Sequence, residues 1–388
     1  MILLLYIALT YLLITTVVLF INRIDFTPLK SVKKSYFSKQ APRVSICIPA
    51  RNEAASIERC VRSAVTQEYP DFHVFVLDDE STDGTSEILQ KLSTEYPKRL
   101  SIISGKAKPN DWLGKSWACH QLSLAARGEI LVFIDADTKL QPQTTSRLIR
   151  TMGHDVVDFI TIWPEQELGT FWERVIIPLI YFALLTLLPV RYVKKGPKWL
   201  PSFLKRKTAP LFAAACGQFM AFKREAYEAI GGHKTVKNKV VEDVEMAKNI
   251  KRAGIAMNMY HGQTTISCRM YTSGSELWEG FRKNFLAGFG YNIPFFVGMG
   301  LLHAITFILP ILLLPILLGI DKSCLLILSL SATALIFIQR IVLDRWFNWN
   351  NLYSLLHPLG VFWFELLGLR VILDYLNNSS TQWKNRDI

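Results

Sequence analysis

Two aspartates spaced two residues apart, Asp135 and Asp137, directly follow the apolar run Val-Phe-Ile at 132–134. The run predicts a buried strand, and because residues two apart in a strand point to the same side, both carboxylates are expected to face one spot. Like charges held that close repel each other, and a bound cation relieves the repulsion. Magnesium-type ions take one or two carboxylates, waters and substrate phosphates. The pair therefore predicts a site for Mg²⁺ or Mn²⁺, with a solvated turn as the alternative interpretation.

A second acidic cluster lies in the stretch LDDESTDGT at 77–85. Asp78 and Asp79 end another predicted strand, and the Ser, Thr, Asp and Gly residues after them are typical of a turn that begins a helix. A carboxylate at that position can accept a hydrogen bond from an N–H of a nucleotide base. The sequence has neither a GxGxxG nor a Walker pattern, so dinucleotide and P-loop chemistry are not indicated.

One lysine and a further acidic pair stand at predicted helix N-termini. Lys115 follows Gly114 in WLGKSWACHQ, and a lysine beside free backbone N–H groups suits a diphosphate, although a surface lysine is the alternative. Glu242 and Asp243 head the helix after GGHKTVKNKVV at 231–241. The helix dipole favours ionised carboxylates there, for catalysis or simply as a helix cap.

Strand and helix patterns alternate through residues 42–290 and position these groups. Strands are predicted in RVSICIPA, FHVFVLDD, LSIISG and EILVFIDAD, with helical apolar spacing in the segments between them. Such alternation predicts βαβ units and a doubly wound, mainly parallel sheet. Ligands of these sheets bind at the carboxyl ends of the strands. The polar ends ARNE at 50–53, DDESTDGT at 78–85 and DADT at 135–138 should therefore open onto one rim.

Uncharged segments at both ends of the chain predict membrane-spanning helices. Half of the 388 residues are hydrophobic, and residues 1–22 form an uncharged N-terminal anchor rather than a cleaved signal peptide. About three further spans are predicted within 293–372. The segment after the anchor is basic, which by the positive-inside tendency places the following domain in the cytoplasm; these residues are Arg23, Lys30, Lys33, Lys34, Lys39 and Arg43.

The stretch 175–190 is uncharged but short for a crossing, and a single crossing would separate the polar rim from the residues after it. Seven lysines and arginines follow between 191 and 207. We expect 172–207 to be an interfacial helix and basic segment, with Trp172 and Trp199 at the boundary; a buried core helix is the alternative. The formal net charge of +12 indicates that the protein is attracted to anionic headgroups and not to nucleic acid.

The six cysteines show no CxxC pair and are predicted to be reduced residues that pack in the core.

Taken together, PARNE, LDDESTDGT, the GK before a helix, DAD, and GG followed by ED resemble the family 2 glycosyltransferases of GT-A fold over about residues 42–290. Within that family the pattern is similar to small membrane-anchored enzymes of the carotenoid (diaponeurosporenoate) or hopanoid-associated type. GGHK at 231–234, RMY at 269–271, LWEGFRKN at 277–284, HP at 357–358 and WKNR at 383–386 carry that similarity.

The resemblance implies a role for each matching position. Ala50, Glu53 and Asp78 or Asp79 would contact the base and ribose, and Lys115 would neighbour the diphosphate. Asp137 would be the main metal ligand, with Asp135 assisting. Asp243 would be the general base, beside Glu242. The resemblance further places His233, Arg269, Trp278 and Arg282 on the acceptor or diphosphate side.

The resulting hypothesis is an inverting transferase that moves a sugar from a nucleoside-diphosphate sugar to a lipid acceptor. One carboxylate base and a metal-assisted leaving group suffice for inversion. A processive polysaccharide synthase is the first alternative, disfavoured because the QxxRW signature is missing: Gln339 and Arg345-Trp346 have the wrong spacing. A non-catalytic membrane scaffold is the second. WKNR departs from the family pattern at Asn385.

Overall fold

The computed structural model describes residues 1–32, 41–320 and 322–377, and the backbone of 382–383 and 386–387. Lys33, Lys34 and Lys39 of the predicted basic flank lie outside the described residues, as do Lys384 and Asn385 of WKNR. The chain divides into two compact units. The helical unit comprises Met1–Asp25, Leu168–Pro189 and Tyr271–Ile388, and the sheet unit comprises Phe26–Glu167 and Val190–Met270.

The sheet unit is built on a seven-stranded sheet of order β3-β2-β1-β4-β8-β6-β9 and a small sheet of order β5-β10-β7. In the large sheet only β8 runs antiparallel to its neighbours, so the predicted mainly parallel sheet is confirmed. The strands are β1 (Val44–Ala50), β2 (Phe72–Asp78), β3 (Leu100–Ser104), β4 (Ile130–Ile134), β5 (Thr138–Leu140), β6 (Phe159–Trp163), β7 (Glu165–Gln166), β8 (Phe219–Lys223), β9 (Met257–His261) and β10 (Ile266–Cys268). The two-residue strands β11 (Gln382–Trp383) and β12 (Arg386–Asp387) pair in the helical unit.

Helices flank the sheet and fill the helical unit. In chain order they are α1 (Ile2–Asp25), α2 (Ile57–Val65), α3 (Thr85–Glu95), α4 (Gly114–Ala125), α5 (Thr144–Asp155), α6 (Phe171–Leu187), α7 (Arg191–Lys194), α8 (Ser202–Thr208), α9 (Arg224–Ala229), α10 (Glu242–Arg252), α11 (Gly274–Gly288), α12 (Ile293–His303), α13 (Leu309–Leu317), α14 (Ser323–Trp346) and α15 (His357–Leu376). Short 3₁₀ turns lie at Ala209–Phe212, Gly232–Val236 and Asn351–Leu356, and a π-helical turn, Ala304–Ile308, joins α12 to α13.

Strand β1 shows why the sheet is covered on both faces. Ile46 and Ile48 are fully buried in a cluster with residues of α2 and α3. Cys47 on the alternate face is equally buried, and Ser45 on that face accepts a hydrogen bond from the N–H of Gly128 at 2.9 Å. A strand that is apolar on both faces belongs to a doubly wound sheet, as the sequence predicts.

The ends of β1, β2 and β4 form the edge where polar residues gather. Ala50 pairs with Asp78 in register, and the N–H of Asp79 donates to the Ala50 carbonyl at 2.8 Å. One detail of the prediction is wrong: β4 ends at Ile134, so Asp135 and Asp137 lie in the turn that follows and do not share a strand face. The turn between β4 and β5, not strand alternation, brings these carboxylates near each other.

Four segments of the helical unit are long and apolar enough to cross a membrane: Ile2–Asp25, Ile293–Leu317, Ser323–Trp346 and Asn351–Leu376. They correspond to the predicted anchor and the three predicted C-terminal spans. Helix α6 belongs to the same unit and packs against α1, α14 and α15. Its neighbour in α1, Asn22, donates to the Leu185 and Leu188 carbonyls at 2.8 and 2.7 Å. Residues 190–207 belong to the sheet unit, and the position of α6 relative to a bilayer stays a prediction.

Candidate functional site

Lys115 in the first turn of α4 joins two acidic groups that are far apart in the sequence. Its ammonium lies 2.7 Å from Asp135 Oδ1 and 3.0 Å from Glu242 Oε1. Burial would lower the pKa of Lys115, but the two carboxylates raise it well above its ordinary value. The lysine is therefore a fixed cation that links the turn after β4 to the N-terminus of α10.

Asp137 is the most constrained carboxylate of the turn. Its Oδ1 is buried and has no hydrogen-bond partner among the described residues. Burial, and then the nearby charges of Asp135 and Glu53, raise the pKa of Asp137 to about 7. A buried oxygen without a partner is costly unless a ligand satisfies it. The described residues contain no group of three or more His, Cys, Asp or Glu side chains placed to hold a metal.

Asp243 is the half-buried acid in the first turn of α10. Its two oxygens accept hydrogen bonds from the N–H groups of Gly217 and Val244, each at 2.8 Å. Burial, and then the charge of Glu242, raise the pKa of Asp243 to about 6 despite Lys115 and these two N–H donors. Burial and the like charge of Glu242 therefore outweigh the stabilisation of the ionised carboxylate that a helix N-terminus provides.

Glu242 differs from Asp243 although it is the adjacent residue. Burial would raise the pKa of Glu242, but contact with the Lys115 ammonium lowers it overall. Two neighbouring carboxylates thus have pKa values shifted in opposite directions, which is the pattern expected when one acid serves as a proton acceptor and the other as a permanent charge.

Hydrogen bonds join the loop after β1 to the loop after β2. Both strands lie on the side of β4 away from β8. Asn52 Oδ1 accepts from the N–H of Thr82 at 2.8 Å, and Asp83 Oδ2 accepts from the N–H of Ala54 at 3.0 Å. Glu53 accepts from the Ser56 hydroxyl at 3.0 Å. These contacts hold in place the backbone of the loop after β1, where Ala50 and Glu53 are predicted to contact the nucleotide base.

Of the two predicted base-binding acids, Asp78 is engaged within its own turn. It accepts from the N–H of Ser81 at 3.1 Å and from the Ser86 hydroxyl. Asp79 is only 3% exposed. The structure therefore assigns Asp78 a structural task in addition to any contact with a nucleotide.

The four residues predicted on the acceptor or diphosphate side lie in different environments. His233 is fully buried, contacts the Tyr227 hydroxyl through its ring at 2.8 Å, and has its pKa lowered to about 3 by burial. Arg269 follows β10 in the sheet unit and is half-buried. Trp278 and Arg282 belong to the helical unit, where Trp278 packs edge-on against Trp363 and Arg282 pairs with Asp374.

Sequence reasoning missed Gly217 and its neighbours. A Cβ atom on Gly217 would lie 2.9 Å from Lys115 Nζ and 3.4 Å from Asp243 Oδ2, so only glycine fits without displacement. Gln218 donates to the sulfur of Cys268, whose side chain in turn contacts Asp137. The CGQ stretch at 216–218, immediately before β8, was the only signal for these roles, and it has no distinctive composition.

The site as a whole combines the Lys115 cation, two carboxylates in the turn after β4, two hydrogen-bonded loops and the half-buried acid Asp243. These parts can bind a diphosphate, stabilise its negative charge as it departs, and accept a proton from an attacking group.

Comparison with known proteins shows a likeness to glycosyltransferases. The family model described as glycosyl transferase family 2 matches residues 45–231, and that of glycosyl transferase family 21 matches residues 206–386. A 4,4'-diaponeurosporenoate glycosyltransferase of Staphylococcus haemolyticus is 24% identical over 279 residues, which is 69% of this chain and 67% of the relative. One from Staphylococcus aureus is 26% identical over 351 residues, 88% of this chain and 87% of the relative.

A solved structure extends the likeness to the fold. The mannosyltransferase of Pyrobaculum calidifontis, solved in complex with GDP-Man and Mn²⁺, superposes with a TM-score of 0.52 at 16% identity. The match covers 97% of this chain and 99% of that chain. At this identity the likeness supports the fold alone, which is of GT-A type.

Proposed function

Since this chain is a membrane-anchored glycosyltransferase of family 2, we propose that it transfers a sugar, with inversion, from a nucleoside-diphosphate sugar to the hydroxyl or carboxyl of a lipid. The observation that carries the proposal is the Lys115 bridge. It joins Asp135 of the acidic turn to Glu242, the neighbour of the proposed base Asp243. Donor activation and proton removal therefore meet at one site.

Donor binding is assigned to the loops after β1 and β2 and to Lys115. Ala50, Glu53 and Asp79 face the nucleoside in this proposal, and the hydrogen bonds between the two loops hold that side rigid before the donor arrives. Lys115 supplies a positive charge next to the diphosphate, where negative charge grows as the sugar departs. A preorganised cation of this kind stabilises the transition state without reorganisation.

A divalent cation fits the acidic turn. Asp137 offers a buried oxygen without a hydrogen bond to the described residues, and Asp135 offers a second carboxylate held by Lys115. Two protein carboxylates with ligands completed by a diphosphate and water are typical of Mg²⁺ and Mn²⁺ sites. When bound, the ion would stabilise the leaving diphosphate. The mannosyltransferase of Pyrobaculum calidifontis was solved with Mn²⁺ and GDP-Man.

Asp243 is the general base. Its pKa of about 6 lies close to neutral pH, so the group is mostly ionised and yet retains affinity for a proton. Groups with that balance are the most effective in general base catalysis. Gly217 and Val244 hold both oxygens by their N–H groups and orient the carboxylate. A single base of this kind fits direct inversion, in which no covalent sugar–enzyme intermediate forms.

The lipid acceptor is inferred from the setting of the enzyme. Four segments can span a bilayer, and the related staphylococcal enzymes are named for 4,4'-diaponeurosporenoate. A soluble acceptor would not require such an anchor. We assign the sheet unit to the cytoplasm because Arg23 lies in the last turn of the first span and Lys30 follows shortly after it.

The test supplies membranes containing the protein with a panel of radiolabelled sugar nucleotides and identifies the lipid product by mass spectrometry. We expect one mono-glycosylated lipid, formed only with Mg²⁺ or Mn²⁺ and absent with Asp243→Asn. A ladder of products from a single sugar nucleotide would instead identify a processive synthase. Unchanged biological function in the Asp243→Asn and Asp137→Ala variants would identify a non-catalytic scaffold.

A further inference from the structure

A strongly basic and exposed segment follows α7 in the sheet unit. Residues 195–211, called here the docking segment, carry five cations and no acidic residue. All five are exposed, and none forms a salt bridge with a described residue: Lys195, Lys198, Lys205, Arg206 and Lys207. Surface cations in folded proteins commonly have acidic neighbours, so a run without any is suited to an anionic partner.

The same segment exposes large apolar side chains. Trp199 and Phe203 are each 74% exposed, and Leu211 is 75% exposed. Helix α8 contains no buried residue at all. Isolated exposed apolar residues are ordinary on a soluble surface, but three in so short a segment, interleaved with cations, need a partner that takes both kinds of group.

A bilayer with anionic lipids is such a partner. Its headgroups attract lysine and arginine, its acyl region accepts phenylalanine and leucine, and its interface is the preferred location of tryptophan. In the chain, the segment begins shortly after α6 of the helical unit, which ends at Leu187. A nucleic acid or an acidic protein would account for the cations but not for the exposed apolar residues.

The residues on either side of the docking segment contact each other and helix α10 of the sheet unit. Tyr192, just before it, packs edge-on against Phe212, just after it, with ring centroids 5.3 Å apart. Lys251 of α10 donates to the carbonyl of Val193. The 3₁₀ turn Ala209–Phe212 packs on α10, the helix that begins with the acids Glu242 and Asp243. The segment is therefore a projecting loop with a fixed base.

We propose that the docking segment binds the surface of an anionic lipid bilayer, inserting Trp199, Phe203 and Leu211 among the headgroups. The inference does not depend on which lipid is glycosylated. It adds a second attachment of the enzyme to the membrane, on the sheet unit, besides the spanning helices. Its consequence is that the sheet unit is held at the bilayer surface when anionic lipid is present.

The experiment reconstitutes the full chain in nanodiscs of phosphatidylcholine with or without phosphatidylglycerol and measures hydrogen–deuterium exchange by mass spectrometry. We expect peptides covering 195–211 to be protected only with phosphatidylglycerol. In Lys205→Gln/Lys207→Gln this protection should fall by about fivefold per charge at low ionic strength. The matched control is Lys91→Gln/Lys98→Gln, which neutralises two exposed lysines near β3. Strand β3 lies at the edge of the sheet opposite to β9, so this control should leave the protection of 195–211 unchanged.

The apolar contribution is tested by Phe203→Ser against Leu124→Ser, since both side chains are 74% exposed. Only Phe203→Ser should reduce the protection. Unchanged exchange in β1 shows that each variant is folded, and because no turnover is scored, the result stands even if the proposed reaction is wrong. Equal protection in both nanodiscs, which would indicate a second copy or another protein contact, overturns the proposal. So does equal protection by inorganic phosphate in phosphatidylcholine nanodiscs.

Discussion

The opposite pKa shifts of Glu242 and Asp243 make a prediction about the pH dependence of transfer. Asp243 must be ionised to accept a proton, so kcat/KM should fall as the pH drops through about 6. One unit below that midpoint about one tenth of the base is ionised, and one unit above it about nine tenths, so the rate should change about tenfold across the interval. His233, with its pKa lowered to about 3, does not titrate in this range.

Replacing Glu242 by Gln removes the neighbouring charge that helps to raise the pKa of Asp243. Loss of one neighbouring carboxylate charge lowers a pKa by about one unit, so the midpoint should move down to about 5. Activity one unit below the original midpoint should then rise from about one tenth to about one half of the plateau. Loss of the contact between Lys115 and residue 242 should also lower the maximal kcat/KM. The pH of the midpoint does not depend on that maximal value.

The assay is the initial rate of labelled sugar transfer to lipid in nanodiscs across the acid range, for the natural sequence, Glu242→Gln and Glu245→Gln. Glu245 is the matched control, because it lies on the same helix but pairs with Lys248 at 2.6 Å. Saturating and subsaturating Mn²⁺ separate Asp243 from Asp137, since only an acid limb due to a metal ligand moves with metal concentration. An unshifted midpoint in Glu242→Gln would refute the assignment of Asp243 as the base.

Three further predictions concern the same site. Asp243→Asn should reduce transfer by about a hundredfold to ten-thousandfold while donor affinity, measured by calorimetry, changes by less than about threefold; equal loss of donor affinity would contradict this. Asp137→Asn should abolish high-affinity Mn²⁺ binding, followed by electron paramagnetic resonance; unchanged binding would exclude the acidic turn as the metal site. Gly217→Ala should lower kcat by about a hundredfold without changing the thermal midpoint, because the added methyl group displaces Lys115. Gly153→Ala, which meets no atom within 4 Å, is its control and should leave kcat unchanged.

Local patterns in the sequence are sufficient to predict most of the architecture. Alternating apolar runs and helical spacing depend on near neighbours, so β1, β2, β4 and α4 lie where they are expected to within a few residues. Uncharged runs of spanning length predict the candidate membrane helices for the same reason, since length and composition are local properties. Turn and cap residues next to the strands and helices likewise indicate where polar groups gather, which is why the sequence alone makes Asp135, Lys115 and Glu242 candidates.

Only the tertiary structure decides how those candidates act together. The contact of Lys115 with both Asp135 and Glu242 joins residues from distant parts of the chain, and no local pattern encodes that proximity. Burial and neighbouring charge raise the pKa of Asp243, and its position at a helix N-terminus does not reveal this shift. The close contact that a Cβ atom at position 217 would make with Lys115 likewise arises from atoms brought near by folding. Sequence thus determines which groups are available and on which elements, whereas long-range packing determines their charge, their partners and the space around them.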